Sequence, residues 1–286
     1  RNFKATMYNT RVAQRLLFSS LVLASLTSCL QGSIWNEKDD GVSPTCHCEK
    51  KLEGLIVNLA SDLRQMRNEI QGCLACPKAM VFSGTINGYA KLDGGTKHGT
   101  STVNKAGLDS LTSCFWIKTK QTAQKPTVLS YAVKNEPNEF LILLKSAKIA
   151  VCLKNKPTAN TEVEISDGKW HHVCITWKSS DGSVETFKDG VSQSKEKSHV
   201  VGKHIKPSGI WIIGQDQDKF GGGFQKENAF HGSLNDVNVW NRVLDASEIS
   251  TLASKKCGLG IQGNYKAYKD FVPKGDVQMV KPSCCH

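Results

Sequence analysis

Ile210-Trp211-Ile212-Ile213, then Gly214-Gln215-Asp216-Gln217-Asp218-Lys219-Phe220-Gly221-Gly222-Gly223-Phe224-Gln225-Lys226-Glu227-Asn228, then a patterned run from Phe230 to Trp240: this stretch sets the reading of the chain. The two flanks have the length and apolar content of buried strands. Between them lies an acidic loop, with Asp216 and Asp218 at i and i+2 and three consecutive glycines after them. Calcium and similar hard cations take about six to eight oxygens from carboxylates, amides and carbonyls. Glycine lets a backbone turn tightly enough to bring such oxygens to one point. The loop is therefore a candidate calcium cradle.

Outward from the loop, short apolar or alternating runs recur. They are Ala79-Met80-Val81-Phe82, Thr127 to Val133, Phe140 to Leu144, Ile149 to Leu153, Trp170 to Trp177 and Val184 to Phe187. Turn signals separate them, including Asn87-Gly88, Asp93-Gly94, Asp167-Gly168, Asp181-Gly182 and Asp189-Gly190. Evenly spaced strands over ~200 residues predict an all-β protein, a two-sheet jelly-roll sandwich of the concanavalin or laminin-G kind. One short helix is expected from Asp245 to Ala253, because Asp245-Ala246-Ser247-Glu248 has capping-box spacing.

The N-terminal part is organised differently. Arg11 and Arg15, the apolar run Leu16 to Leu26 and the small residues Thr27-Ser28-Cys29 have the layout of a secretory signal peptide over residues 7–29. Leu26-Thr27-Ser28-Cys29 also fits a lipoprotein box, which would tether the protein through Cys29 instead. Residues 30–48 read as a polar linker. In residues 49–76, Leu52, Ile56, Leu59, Leu63, Met66, Ile70 and Cys73 recur at spacings of four and three. That heptad seam predicts a short oligomerising coiled coil, with Cys46, Cys48, Cys73 and Cys76 placed to staple neighbouring chains. A helix packed on its own domain is the simpler alternative.

The 286 residues carry 37 Lys and Arg against 26 Asp and Glu, a net charge of +11. The basic residues are spread out, with a local excess at Lys195, Lys197, Lys203 and Lys206. No nucleic-acid motif accompanies them, so the excess reads as a solvated hairpin or a surface for polyanionic glycans or acidic lipid. Eleven cysteines point to an oxidising compartment. Cys73-Leu74-Ala75-Cys76 lacks the second paired unit a zinc site needs.

His172-Val173-Cys174-Ile175-Thr176-Trp177-Lys178-Ser179 fits the pattern His-x-Cys-x-Ser/Thr-Trp-x-Ser. Together with Gly214 to Trp240 and Ser130-Tyr131-Ala132-Val133, it resembles the pentraxin family, relatives of C-reactive protein and serum amyloid P. The resemblance runs from residue 77 to about 283. The heptad helix and Ile205-Lys206-Pro207 look closest to the long, neuronal-pentraxin branch. It implies a jelly roll, a ring of subunits and calcium-dependent ligand binding on one face. It also implies a Cys114–Cys174 disulfide and a second bridge from Cys257 to Cys284 or Cys285, while Cys152 has no counterpart.

The same resemblance implies the calcium ligands. Asp216, Gln217 (through its carbonyl) and Asp218 fall on the loop's first ligand positions. Gln225 replaces a glutamate and Asn228 a glutamine. An Asp-Asn pair from an earlier connection aligns with Pro137-Asn138, so Asn138 survives and its acidic neighbour does not. One calcium site of ordinary strength and a weak second one are expected, with Glu227 as a possible extra ligand. The near match to an EF-hand loop fails at Phe220 and on its strand-like flanks. His171-His172 is not read as a metal pair, because adjacent strand residues point to opposite faces.

These readings predict a secreted, extracellular, multimeric protein that recognises phosphorylated head groups or anionic glycans with calcium. An adhesive protein that clusters protein partners with little calcium dependence is the rival. Leu143-Leu144-Lys145-Ser146 lacks the aromatic that would rest against choline, so phosphocholine binding is expected to be weak. An enzyme is disfavoured, since a glycosidase needs two opposed carboxylates and the loop acids have no acid partner.

Overall fold

A computed structural model of the chain describes residues 54, 56–64, 77–92, 107–122, 125–198, 200–255 and 262–281. The chain divides into two units, residues 1–71 and 72–286. In the first, residues 56–64 are helical, and Ile56, Leu59 and Leu63 of the heptad seam are all at least half exposed. The signal-peptide and linker readings, most of the heptad seam, and Cys257, Cys284 and Cys285 lie outside the described residues.

In the second unit the described residues form β1 (Ala79–Ser83), β2 (Tyr89–Leu92), β3 (Ser110–Lys118), β4 (Thr127–Val133), β5 (Glu136–Lys145), β6 (Lys148–Leu153) and β7 (Lys156–Glu164). They continue with β8 (His171–Lys178), β9 (Ser183–Lys188), β10 (Val191–Lys197), β11 (Ile210–Ile213), β12 (His231–Trp240), β13 (Val272–Lys274) and β14 (Gln278–Val280). Two seven-stranded antiparallel sheets result. The first has the order β10-β9-β8-β3-β12-β1-β14 and the second β13-β2-β11-β4-β5-β6-β7. All six short runs anticipated from the sequence are strands, and so are both flanks of the acidic loop.

Side-chain alternation packs the two sheets face to face. Phe115, Trp177, Phe140, Tyr131 and Trp211 fill the space between them, each essentially without solvent contact. Tyr131 and Trp211 stack with centroids 4.4 Å apart. Tyr131 is also tied down at its hydroxyl, which donates to the Lys206 carbonyl and accepts from Gly209 N. The β9–β10 hairpin turns at Asp189-Gly190, both in the left-handed region (φ 51° and 84°), as a tight hairpin with right-handed strands requires.

On the outer side of the first sheet, Cys114 lies directly opposite Cys174 and the two form a disulfide, Cα to Cα 4.1 Å. The helix Ala246–Ser254 covers it, with Ile249 and Leu252 joining Phe187, Trp240 and Leu244 in a small apolar cluster around the bridge. Asp245 caps that helix: its carboxylate accepts from Glu248 N, and the Glu248 carboxylate accepts from Asp245 N. The two histidines part company as strand geometry requires. His171 points to Asp167 and Asp189, whereas His172 is buried against Trp116, and burial lowers its pKa to about 4.

The capping box makes a direct prediction. Asp245→Ala should lower domain stability by about 1 kcal/mol, read from urea denaturation, because a backbone N–H in the first turn of the helix loses its side-chain acceptor. An unchanged midpoint would mean the helix does not contribute to holding the disulfide cover in place.

Candidate cation-binding face

The acidic loop leaves β11 in the second sheet and enters β12 in the first. Its start is fixed by backbone bonds: Gly214 N donates to the Val128 carbonyl and Phe230 N to the Gly214 carbonyl. Gly214 has φ 87°, and a Cβ there would lie 2.4 Å from the Phe82 ring. The loop then folds back over the outer face of the second sheet.

Gln217 fastens it there. This side chain is fully buried, and its Nε2 donates to the Ser130 carbonyl, the Ser130 hydroxyl and the Ile210 carbonyl. Its Oε1 accepts from Gly221 N at 3.0 Å. With the amide wholly engaged, the main-chain carbonyl is the atom Gln217 has left to offer a ligand. A tight turn follows, in which Lys219 N and Gly222 N each donate to the other residue's carbonyl.

Asp216 sits where this clamp places it. Its Oδ1 accepts from Gln217 N at 2.8 Å, and the Ser130 hydroxyl also bonds its carboxylate. Ser130 lies opposite Leu141, and Leu141 opposite Cys152. The carboxylate thus stands over that row, close enough for its charge to raise the Cys152 thiol pKa alongside the larger effect of burial. Burial, reinforced by the charge of Asp218, pushes the Asp216 carboxyl up to about 6 despite these hydrogen bonds. A carboxylate held this way is short of positive charge.

The other expected ligands are distributed less evenly. Asp218 is exposed, and its Oδ2 accepts from Gln225 Nε2 at 2.6 Å, so the amide that replaces a carboxylate is turned onto the acid. Asn228 ends a short 3-10 turn and donates from its backbone N to the Gln225 carbonyl. The Glu227 side chain is exposed, while its carbonyl accepts from Lys125 N. Asn138 lies three residues before Leu141 on β5, roughly 10 Å along the strand. Its Oδ1 is buried with no hydrogen-bond partner. An orphaned buried acceptor is costly unless something supplies a donor or a cation.

Among the described residues, one group of three His, Cys, Asp or Glu ligand atoms clusters tightly, Cys114 with His172 and Cys174, and its sulfurs are spent in the disulfide. The loop acids are not gathered into such a cluster. Carboxylate, carbonyl and amide oxygens of this kind are the donors a hard cation takes, and of them Asp216 is the one held against the sheet at Ser130. Two features escaped the sequence reading. Ser130 bridges the loop to the sheet, and strand alternation could have pointed it outward. Cys152 lies beside Asp216 in an apolar patch with Leu141, Leu143 and Ala150, which follows only from the β5–β6 register.

The sequence profile described as the Pentaxin family matches residues 96–275. The chain belongs to the pentraxin family. It is 37% identical over 163 residues to neuronal pentraxin-2 of Cavia porcellus, covering 57% of this chain and 38% of that protein. It is 37% identical over 145 residues to neuronal pentraxin-1 of Homo sapiens, covering 51% and 34%. The chain therefore aligns with well under half the length of these curated relatives. Its fold matches the native heptameric SAP-like pentraxin of Limulus polyphemus with a TM-score of 0.63 at 25% identity, over 73% of this chain and 97% of that one. The pentraxin expectation, the two-sheet fold and the Cys114–Cys174 bridge all hold.

The Asp216 environment sets a pH dependence. A carboxyl whose folded pKa exceeds its unfolded value of about 4 contributes stability that is complete below that value and lost as pH rises through about 6. In chelator, the wild-type domain should therefore lose on the order of 2 kcal/mol more than Asp216→Asn between pH 4 and 7. Equal losses in the two proteins, measured by urea denaturation, would show that Asp216 is not the strained acid.

Proposed function

We propose that this pentraxin is a secreted, calcium-dependent recognition protein that binds phosphorylated head groups or anionic glycans through the face carrying Asp216 and Asp218. The observation that carries the reading is the loop's attachment: the buried Gln217 amide fastens the loop to Ser130 and Ile210, which holds Asp216 against the sheet with the exposed Asp218 two residues on. Phosphate or sulfate oxygens would complete the shell of an ion held there. The ligands of the ion would be Asp216, the Gln217 carbonyl, Asp218 and Asn138, with Gln225, Asn228 and Glu227 as candidates for a weaker second site. The protein is a binding protein rather than an enzyme in this reading.

Multimerisation would turn weak single sites into tight binding on arrayed surfaces. The exposed Ile56, Leu59 and Leu63 support a coiled coil between copies. Among the described residues, no helix is long and apolar enough to cross a membrane, and the buried disulfide accords with an extracellular location. One observation favours the adhesive alternative, in which protein partners are clustered with little need for calcium. Gln225 already satisfies Asp218 from within the chain, and Pro137 offers no side-chain ligand, so the second ion has little to hold it.

Calorimetric titration with calcium should give one site of ordinary strength per chain, and Gln225→Glu should strengthen a second. Two equally tight sites in both wild type and Glu227→Ala would overturn the one-site picture. The secreted multimer should bind sulfated glycans or phosphorylated lipids on an array with calcium and release them in chelator. Protein-partner binding that survives chelator, with no glycan or lipid binding, would select the adhesive alternative. Retention on phosphocholine resin should be weak, because Leu143 is nine-tenths buried and no aromatic stands in its place.

A further inference from the structure

The segment Lys125-Pro126 ties the end of the acidic loop to the end of β5. Lys125 N donates to the Glu227 carbonyl at 3.4 Å, and Leu144 N donates to the Pro126 carbonyl at 2.9 Å. Along β5, Leu141, Leu143 and Lys145 share one face, because strand side chains alternate. Cys152 lies opposite Leu141 on that face, and Ala150 opposite Leu143. Two lysines from different elements are thereby brought to the face on which Asp216 stands.

Three charged groups act on the Cys152 side chain. Burial and then the Asp216 carboxylate raise its thiol pKa, and the ammonium groups of Lys125 and Lys145 oppose that rise. Both lysines are exposed, and among the described residues neither makes an ion pair. Lys148, opposite Lys145, is different: it pairs with Glu162. The partner of the Lys125 backbone, Glu227, lies between Gln225 and Asn228, where a second ion has least to hold it.

Charge balance gives these lysines a role. A divalent ion at Asp216 and Asp218 would be neutralised by the two carboxylates that hold it. The positive charge left to attract an anionic ligand then belongs to Lys125 and Lys145.

We propose that Lys125 and Lys145 take the place of a second cation and select ligands with two negative charges close together. The proposal rests on the calcium reading of the same face. A phosphomonoester carries about two negative charges near neutral pH, and a phosphodiester only one, so the monoester gains more from the pair. A zwitterionic head group gains least, because its cationic end meets two ammonium groups. Two sources share the favoured chemistry: a terminal phosphate on a lipid head group, and closely spaced sulfates on a glycan.

Phosphorus NMR on the full chain, with methyl phosphate and dimethyl phosphate as probes, tests this beside calorimetric titration with calcium. In calcium, methyl phosphate should bind more tightly than dimethyl phosphate. Lys125→Gln and Lys145→Gln should each weaken methyl phosphate about fivefold and dimethyl phosphate only about twofold. Lys125→Gln should also tighten the uptake of a second calcium ion, an effect that lost packing would not produce. Displacement of methyl phosphate by a trisulfated disaccharide at lower concentration than by inositol 1-phosphate would assign the pair to glycans. The reverse order would assign it to head groups, and either order supports the proposal. Thermal melting of each variant should match wild type, since both side chains are exposed. Calcium uptake with methyl phosphate affinity unchanged in both variants would overturn the proposal and leave the calcium reading standing. Lysine-dependent methyl phosphate binding without calcium uptake would overturn the calcium reading and keep the lysine pair. Two tight calcium sites in wild type, or no methyl phosphate binding with or without calcium, would overturn the proposal.

Discussion

The side chain of Gln217 is the fastening on which the placement of the acidic loop depends. A buried amide must satisfy two donors and an acceptor: here the donors reach Ser130 and Ile210 on the sheet the loop covers, and the acceptor takes Gly221 N from the loop itself. An aliphatic residue at this position would leave the Ile210 and Ser130 oxygens facing it without that donor. A carboxylate would lose the donors altogether. The side chain therefore determines where Asp216 stands, and the strain on Asp216 follows. Its carboxyl is desolvated because Gln217 draws the loop down onto the sheet.

Much of the sandwich was legible because burial leaves a pattern. In β4 every residue is buried, and in β11 likewise, and both runs are apolar enough to be read directly. Polar strands were not legible. Residues Lys156 to Glu164 (KPTANTEVE) and Val191 to Lys197 (VSQSKEK) form β7 and β10, yet both lie at sheet edges, where one flank and much of one face meet solvent. Their pairing comes from the neighbouring strand rather than from their own composition. The strands β13 and β14 have three residues each, too few for periodicity to register.

The acidic loop shows the same division. Asp216 and Asp218 announce themselves by spacing, and the family resemblance adds Asn138. The Gln225 amide folding onto Asp218 could not be read, because it depends on how the glycine turn brings residues seven apart together. The nearness of Cys152 to Asp216 depends on register across three strands. Side-chain identity is local information, whereas the electrostatic state of a group is set by whatever the fold places beside it.

Sheet edges usually invite another chain to add a strand. Here the long ones are guarded. The strand β10 carries Lys195, Glu196 and Lys197 and a register shift between Ser192 and Ser194, and β7 carries Lys156, Glu162 and Glu164. The remaining edges, β13 with Pro273 and the three-residue β14, are too short or too interrupted to template a partner. Edge-to-edge pairing of the described sheets into fibres is thereby disfavoured. The described sheets thus leave their faces and loops, rather than their edges, as surface open to another molecule.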